Sequence, residues 1–265
     1  MRDRGVSQVL TTVILSSVMI SILYISLFIS DNVIEYHAQA TEYENAKELL
    51  TYMADAMEQV ALGTGGVKYV RFNLRTTRLE FLKDYCEEVL VKLNGSEVIR
   101  DSPDAIVIRG GDKLSAPPLR VLYPEGVVND AGEIARYVVN AGEPITLVYE
   151  TFDKRATTVL ICRRVRMNYL GIYELLVNGE LRRYAVFELS YINLTIGTVG
   201  GSSTIPVVIR NTGTTVNETY LEGRHFTLEV FVGQERRFLH EYSYEDVDGI
   251  LVLIKIAHLE VDTLR

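Results

Sequence analysis

VSQVLTTVILSSVMISILYISLFIS, residues 6–30, is the stretch on which the architecture of this chain turns. It holds no charged residue, and most of its positions are Val, Ile, Leu, Met, Phe or Tyr. At about 1.5 Å of rise per helical residue, roughly 20 such residues cross a hydrocarbon layer about 30 Å thick, so the run spans a bilayer comfortably. A removed secretory signal fits less well. Its apolar region is about 7–15 residues long and ends at a small-residue cleavage site, whereas Ser30, Asp31 and Asn32 stand here. Arg2, Arg4 and the terminal amine precede the run, and Asp31 and Glu35 follow it. That asymmetry predicts a cytoplasmic N-terminus and an extracytoplasmic remainder.

The helix is expected to continue past the membrane surface, because neither Pro nor Gly interrupts residues 6–62. Beyond Asp31 the pattern becomes amphipathic. Tyr43, Ala46, Leu50, Met53, Met57 and Val60 recur at spacings of three or four, with Leu49 and Ala61 beside them, while Glu42, Glu44, Glu48, Asp55 and Glu58 fall mainly on other faces. Such a stripe requires a partner. Gly63-Thr64-Gly65-Gly66 then ends the helix, since glycine readily takes the left-handed conformation of a helix stop. A phosphate cradle would precede its helix and end in GK[ST], and neither holds here.

After Gly66 the chain turns to short runs rich in Val, Ile, Tyr, Phe, Thr and Leu, punctuated by turn residues. Strands are predicted at 67–74, 79–82, 88–93, 96–100, 105–109, 119–122, 145–151, 157–166, 172–177, 181–189, 192–196, 205–209, 226–232 and 250–258. Asn94-Gly95 and Asn178-Gly179 mark two hairpins, because Asn-Gly adopts the positive φ angles of the favoured two-residue turn. The fold class is therefore α+β: a long transmembrane-plus-amphipathic helix, then a mainly antiparallel β-sandwich domain of one or two subdomains. The expected organisation is a leader at 1–5, a membrane helix at 6–30, its amphipathic extension and turn at 31–66, a β domain at 67–189 and a C-terminal β portion at 190–265.

A net charge of −8 over 265 residues argues against a dedicated nucleic-acid binder. Cys86 and Cys162 form no CxxC pattern, which removes a thiol-rich metal or redox framework and leaves open one disulfide between them. Export also opens the Asn-x-Ser/Thr sequons at Asn94, Asn193 and Asn217 to glycosylation. His37, His225, His240 and His258 lie at no metal-ligand spacing, and no nucleophile has a base and an orienting acid near it in sequence. No catalytic residue, metal or cofactor is expected. The acidic stretch 241–249 reads as a solvated turn, and the basic clusters at Lys68, Arg71, Arg75, Arg78 and Lys83 and at Arg163, Arg164, Arg166, Arg182 and Arg183 read as solvent faces paired with Asp and Glu.

Met1-Arg2-Asp3-Arg4-Gly5, then Val6-Ser7-Gln8, then an uncharged helix that becomes amphipathic and stops at a Gly-rich turn, resembles the N-terminal region of type IV pilin-like proteins of the archaeal kind. The match covers under a quarter of the chain. The resemblance implies that a prepilin peptidase cuts between Gly5 and Val6, and that mature subunits bundle their apolar helices with their β domains outward. The segment IPVVIRNTG, residues 205–213, resembles a strand and turn of Ig-like domains found in exported archaeal proteins, including filament and archaellum components. The expected partners are the lipid bilayer, related subunits and the peptidase, and the expected role is a structural or adhesive filament subunit. The alternatives are an uncleaved single-pass envelope scaffold or receptor and, less well supported, a membrane-tethered hydrolase.

Overall fold

The computed structural model describes residues 3–63, 66–177, 179–201 and 203–263, with side chains from residue 10 onward. Met1 and Arg2 of the leader, Thr64 and Gly65 of the Gly-rich turn, Asn178 of the second hairpin and Ser202 lie outside the described residues. Helix α1 runs unbroken over Asp3–Leu62, about 90 Å at 1.5 Å per residue. Its end falls at Gly63, whose N–H reaches the Gln59 carbonyl at 3.1 Å. A Cβ there would sit 2.4 Å from that same oxygen, so the helix stop requires glycine.

The rest is β1 (Val67–Asn73), β2 (Arg78–Leu82), β3 (Val89–Leu93), β4 (Ser96–Asp101), β5 (Ala105–Arg109), β6 (Leu119–Tyr123), a short α2 (Asp130–Ile134), β7 (Val138–Asn140), β8 (Thr146–Asp153), β9 (Arg155–Cys162), β10 (Val165–Val177), β11 (Glu180–Ile196), β12 (Thr204–Glu222), β13 (His225–Val232), β14 (Glu235–Ser243) and β15 (Gly249–Thr263). They form a six-stranded sheet ordered β1-β12-β15-β11-β10-β7, a four-stranded sheet β14-β13-β3-β4 and a five-stranded sheet β2-β5-β9-β8-β6. Pairing is antiparallel except for β11 with β15 and β10 with β7. The chain is an α+β protein with one long helix and a mostly antiparallel, multi-sheet β domain.

Two cores occupy opposite faces of the six-stranded sheet. Successive residues of a strand point to opposite sides. In β15, Ile250, Val252 and Ile254 enter a core shared with the four-stranded sheet, whereas Ala257, Leu259 and Val261 enter one shared with α1 and the five-stranded sheet. β11 divides likewise, with Ala185, Phe187 and Leu189 on one side and Ile192 and Leu194 on the other. These long strands tie the two cores together. The boundary expected near 189–190 falls inside β11, and early strands pair with late ones: β1 with β12 and β3 with β13.

Three local expectations change. The run 157–166 is two strands in two sheets, because Arg163 and Arg164 turn the chain between β9 and β10. Arg164 is fully buried rather than solvated: its guanidinium meets the Glu133 carboxylate at 2.9 Å and donates to the Glu133 carbonyl at 2.5 Å. Burial lowers its pKa to about 10 despite that partner. Asn211-Thr212-Gly213 is a bulge within β12, where the register to β15 slips by one residue. At Asn94-Gly95 both φ angles are positive, +48° and +79°, as a two-residue hairpin requires.

Candidate functional site

The feature that sets this molecule apart is the division of α1 into a bare half and an embedded half. Residues 10–38 are exposed apart from the half-buried Asn32, including Leu23 at 62% and Phe28 at 63%. From Gln39 onward one face is buried: Tyr43, Ala46, Leu50, Met53, Met57 and Val60 are all at 3% exposure or less. The embedded half lies between the five-stranded sheet and one end of the six-stranded sheet, so its stripe forms the centre of a core.

Polar groups lock the embedded half at several points. Near its start, Glu42 accepts the backbone N–H groups of Arg75, Thr76 and Thr77 at 2.6, 2.9 and 2.9 Å. Burial opposes ionisation there, but these donors and the Thr76 hydroxyl outweigh it and hold the carboxyl below its ordinary range. At the next residue the Tyr43 hydroxyl bonds Thr158 Oγ1 at 2.8 Å, and a turn further on Lys47 Nζ meets Glu150 at 3.1 Å and Glu44 at 2.8 Å. Near the end, Glu58 accepts from the N–H groups of Ile145 and Thr146 at 2.5 and 2.7 Å. Its pKa is nevertheless raised, because burial exceeds the help from those donors and from Arg166 at 3.8 Å. Asn211 donates to the Val60 carbonyl at 3.1 Å and fixes the last turn.

Several polar side chains of the bare half bond back to its own backbone. Ser16 donates to the Thr12 carbonyl at 2.8 Å, Ser21 to Ser17 at 2.9 Å and Asn32 to Phe28 at 2.8 Å. Such i−4 bonds satisfy these donors without water, as a helix in hydrocarbon requires. At the junction, Lys113 from the loop after β5 donates to Asn32 Oδ1 at 3.0 Å and to Glu35. That lowers the pKa of the Glu35 carboxyl through the hydrogen bond and the adjacent charge. Gly111 lets the same loop approach, since a Cβ would lie 2.3 Å from the Gln39 side-chain oxygen.

Gly5 and Val6 fall in the first turns of α1, and their side chains lie outside the described residues. Asn94 is exposed at the hairpin turn with its side-chain oxygen taking the Thr227 N–H at 2.8 Å; Asn193 is half-buried in β11; Asn217 is exposed on β12. Cys86 and Cys162 are both free thiols, which corrects the disulfide reading. The reason is strand alternation: Cys86 packs on the side of β9 where Ile161 points, while Cys162 points into the opposite core. The histidines stay apart, on α1, β13, β14 and β15. Among the described residues no group of three or more His, Cys, Asp or Glu is placed to hold a metal ion.

Sequence reasoning missed Glu42, Glu58 and Lys47 as anchors, because their partners lie 33 to 103 residues away. It placed these acids on the faces away from the stripe, and no spacing pattern marks them as buried. No protein-family model, curated protein or solved structure matches the chain. Among the described residues one helix, Leu10–Leu62, is long and apolar enough to cross a membrane, and its most apolar window is wholly unburied.

Proposed function

We propose that this is a non-enzymatic, pilin-like surface protein, anchored by residues 6–30 with its N-terminus in the cytoplasm and its β domain, in part an Ig-like sandwich, outside. The observation that carries the reading is the single unbroken helix whose second half is core and whose first half is bare. Leaving some fifteen large apolar side chains in water would cost about 1.5–3 kcal/mol each, so the bare half needs an apolar partner. Lipid supplies one, and identical helices in a filament supply another. Because α1 is rigidly embedded, any assembly of the bare halves sets the position of the β domains outside. In this reading a prepilin peptidase releases residues 1–5 by cutting between Gly5 and Val6, and the mature chain serves as a structural or adhesive subunit, major or minor.

The test is the intact mass and N-terminal sequence of the protein from its native membrane. A start at Val6, abolished by Gly5→Leu, is expected. A start at Met1 would refute processing and leave an uncleaved envelope scaffold or receptor.

A further inference from the structure

β12 is only partly covered on its outer side. β1 pairs with residues 204–210, ending at Val67 opposite Arg210, and the Gly66 carbonyl takes the Asn211 N–H. Among the described residues, 212–222, TGTTVNETYLE, have β15 on one side and no strand on the other, an open edge. Open edges are normally blunted by charge, Pro, bulges or brevity, because unpaired N–H and C=O groups template another strand. β14 carries Arg236 and Arg237 in ion pairs, whereas the uncovered part of β10 and the open stretch of β12 each start at a bulge, at Leu170 and Thr212. The open stretch of β12 has Glu218 and Glu222 as its charged residues, no Lys, Arg or Pro, and a high share of Thr, Val and Tyr.

Self-pairing chooses its own direction. A parallel, in-register pair would set Glu218 against Glu218 and Glu222 against Glu222. An antiparallel pair centred on Asn217 sets Glu218 opposite Val216, Thr219 opposite Thr215, Tyr220 opposite Thr214 and Glu222 opposite Thr212, with no like charges facing. The contact is then isologous and closed.

Direction within the molecule adds the consequence. Ser203 lies beside Leu74 and hence near Glu42, and Asn211 lies on Val60. From Glu42 to Val60 along the helix and from Ser203 to Asn211 along the strand are both about 27 Å. β12 thus runs alongside the embedded helix, and its open stretch continues away from the bare half.

We infer that the edge at 212–222 pairs antiparallel with the same edge of a second copy about a twofold at Asn217, and that the two bare helices then point in opposite directions. Taken with the anchor reading, on which this last step rests, the pair bridges two membranes or two filaments.

The experiment uses the full chain in detergent with Cys86→Ser as background, and a short bismaleimide. Asn217→Cys should cross-link to a species of doubled mass. Thr219→Cys should not cross-link to itself, its partner position being displaced by four residues or about 13 Å, but should cross-link when mixed with Thr215→Cys. Asn217→Lys, which opposes two charges at the twofold, should abolish the dimer seen by sedimentation in the unlabelled protein. Absence of the Asn217→Cys cross-link, equal cross-linking by all three cysteine variants, or a glycan on Asn217 in the native protein would each overturn the pairing. Reconstituted into phosphatidylcholine vesicles, the wild type should cluster them and Asn217→Lys should not. Flotation without clustering overturns the opposed geometry; failure to float refutes the anchor reading, and with it the bridging, while the detergent cross-link still decides the pairing.

Discussion

Shortening Leu50 to Ala separates the two halves of α1 by their energetics. Leu50 is at 0% exposure in the core between two sheets, with neighbours held by strand pairing that cannot collapse freely into the space vacated. Leu→Ala changes at such sites cost about 2.7–5 kcal/mol, combining lost transfer energy with a residual cavity. Taking about 3 kcal/mol, and about 2–4 °C per kcal/mol for a domain of this size, the midpoint should fall by about 6–12 °C. Leu23, at 62% exposure, lies on the bare half of the helix; Leu23→Ala in the same detergent should leave the β domain's midpoint within about 1 °C. The chain has no Trp and 16 Tyr, so near-ultraviolet tyrosine dichroism reports tertiary structure cleanly. Equal effects of the two substitutions, or a Leu50→Ala midpoint within about 2 °C of wild type, would refute the claim that the helix is bare before Gln39 and core from there on. Leu50→Glu goes further: the helix fills the core, so we expect loss of cooperative unfolding rather than an undocked helix beside an intact domain.

Glu58 provides a pH test. Its folded pKa lies above the ordinary 4.5, so folding favours the protonated form; that contribution is complete below 4.5 and is lost as pH rises through the folded value. Glu58→Gln keeps an oxygen acceptor for Ile145 and Thr146 and should flatten the fall in melting temperature over that window; an unchanged profile would show that another group causes it. The Lys47–Glu150 pair, with side chains 10% and 3% exposed, should behave as a buried ion pair. Glu150→Gln should cost about 3 kcal/mol by chemical denaturation, the lower end of the usual range because Glu44 remains, and Lys47→Met with Glu150→Leu should recover most of it. Additive losses in the double variant would contradict the coupling.

Local pattern and global closure contributed differently to what was legible. Uncharged residues 6–30 and the stripe from Tyr43 to Val60 announce a helix with two environments, because helical period and hydrophobicity are properties of neighbouring residues. The same holds for most strand centres and for the Asn94-Gly95 turn. The missed strands are instructive: β7 has three residues, and β14 reads ERRFLHEYS, whose edge-strand charges mask its alternation. The expected break at 189–190 followed a change in texture, yet β11 passes through it, because strand pairing joins segments that sequence proximity does not.

The sequence by itself determined that a long helix carries an uncharged half and an amphipathic half and that strands follow, since each of these is written in the periodicity of adjacent residues. Only the tertiary structure decided that the amphipathic half becomes the middle of a core, that Glu42, Lys47 and Glu58 are its anchors, that Cys86 and Cys162 face opposite ways, and that β12 ends in an open edge. Each of these depends on which distant strand lies alongside, and that choice follows from how the whole set of apolar faces can be covered at once.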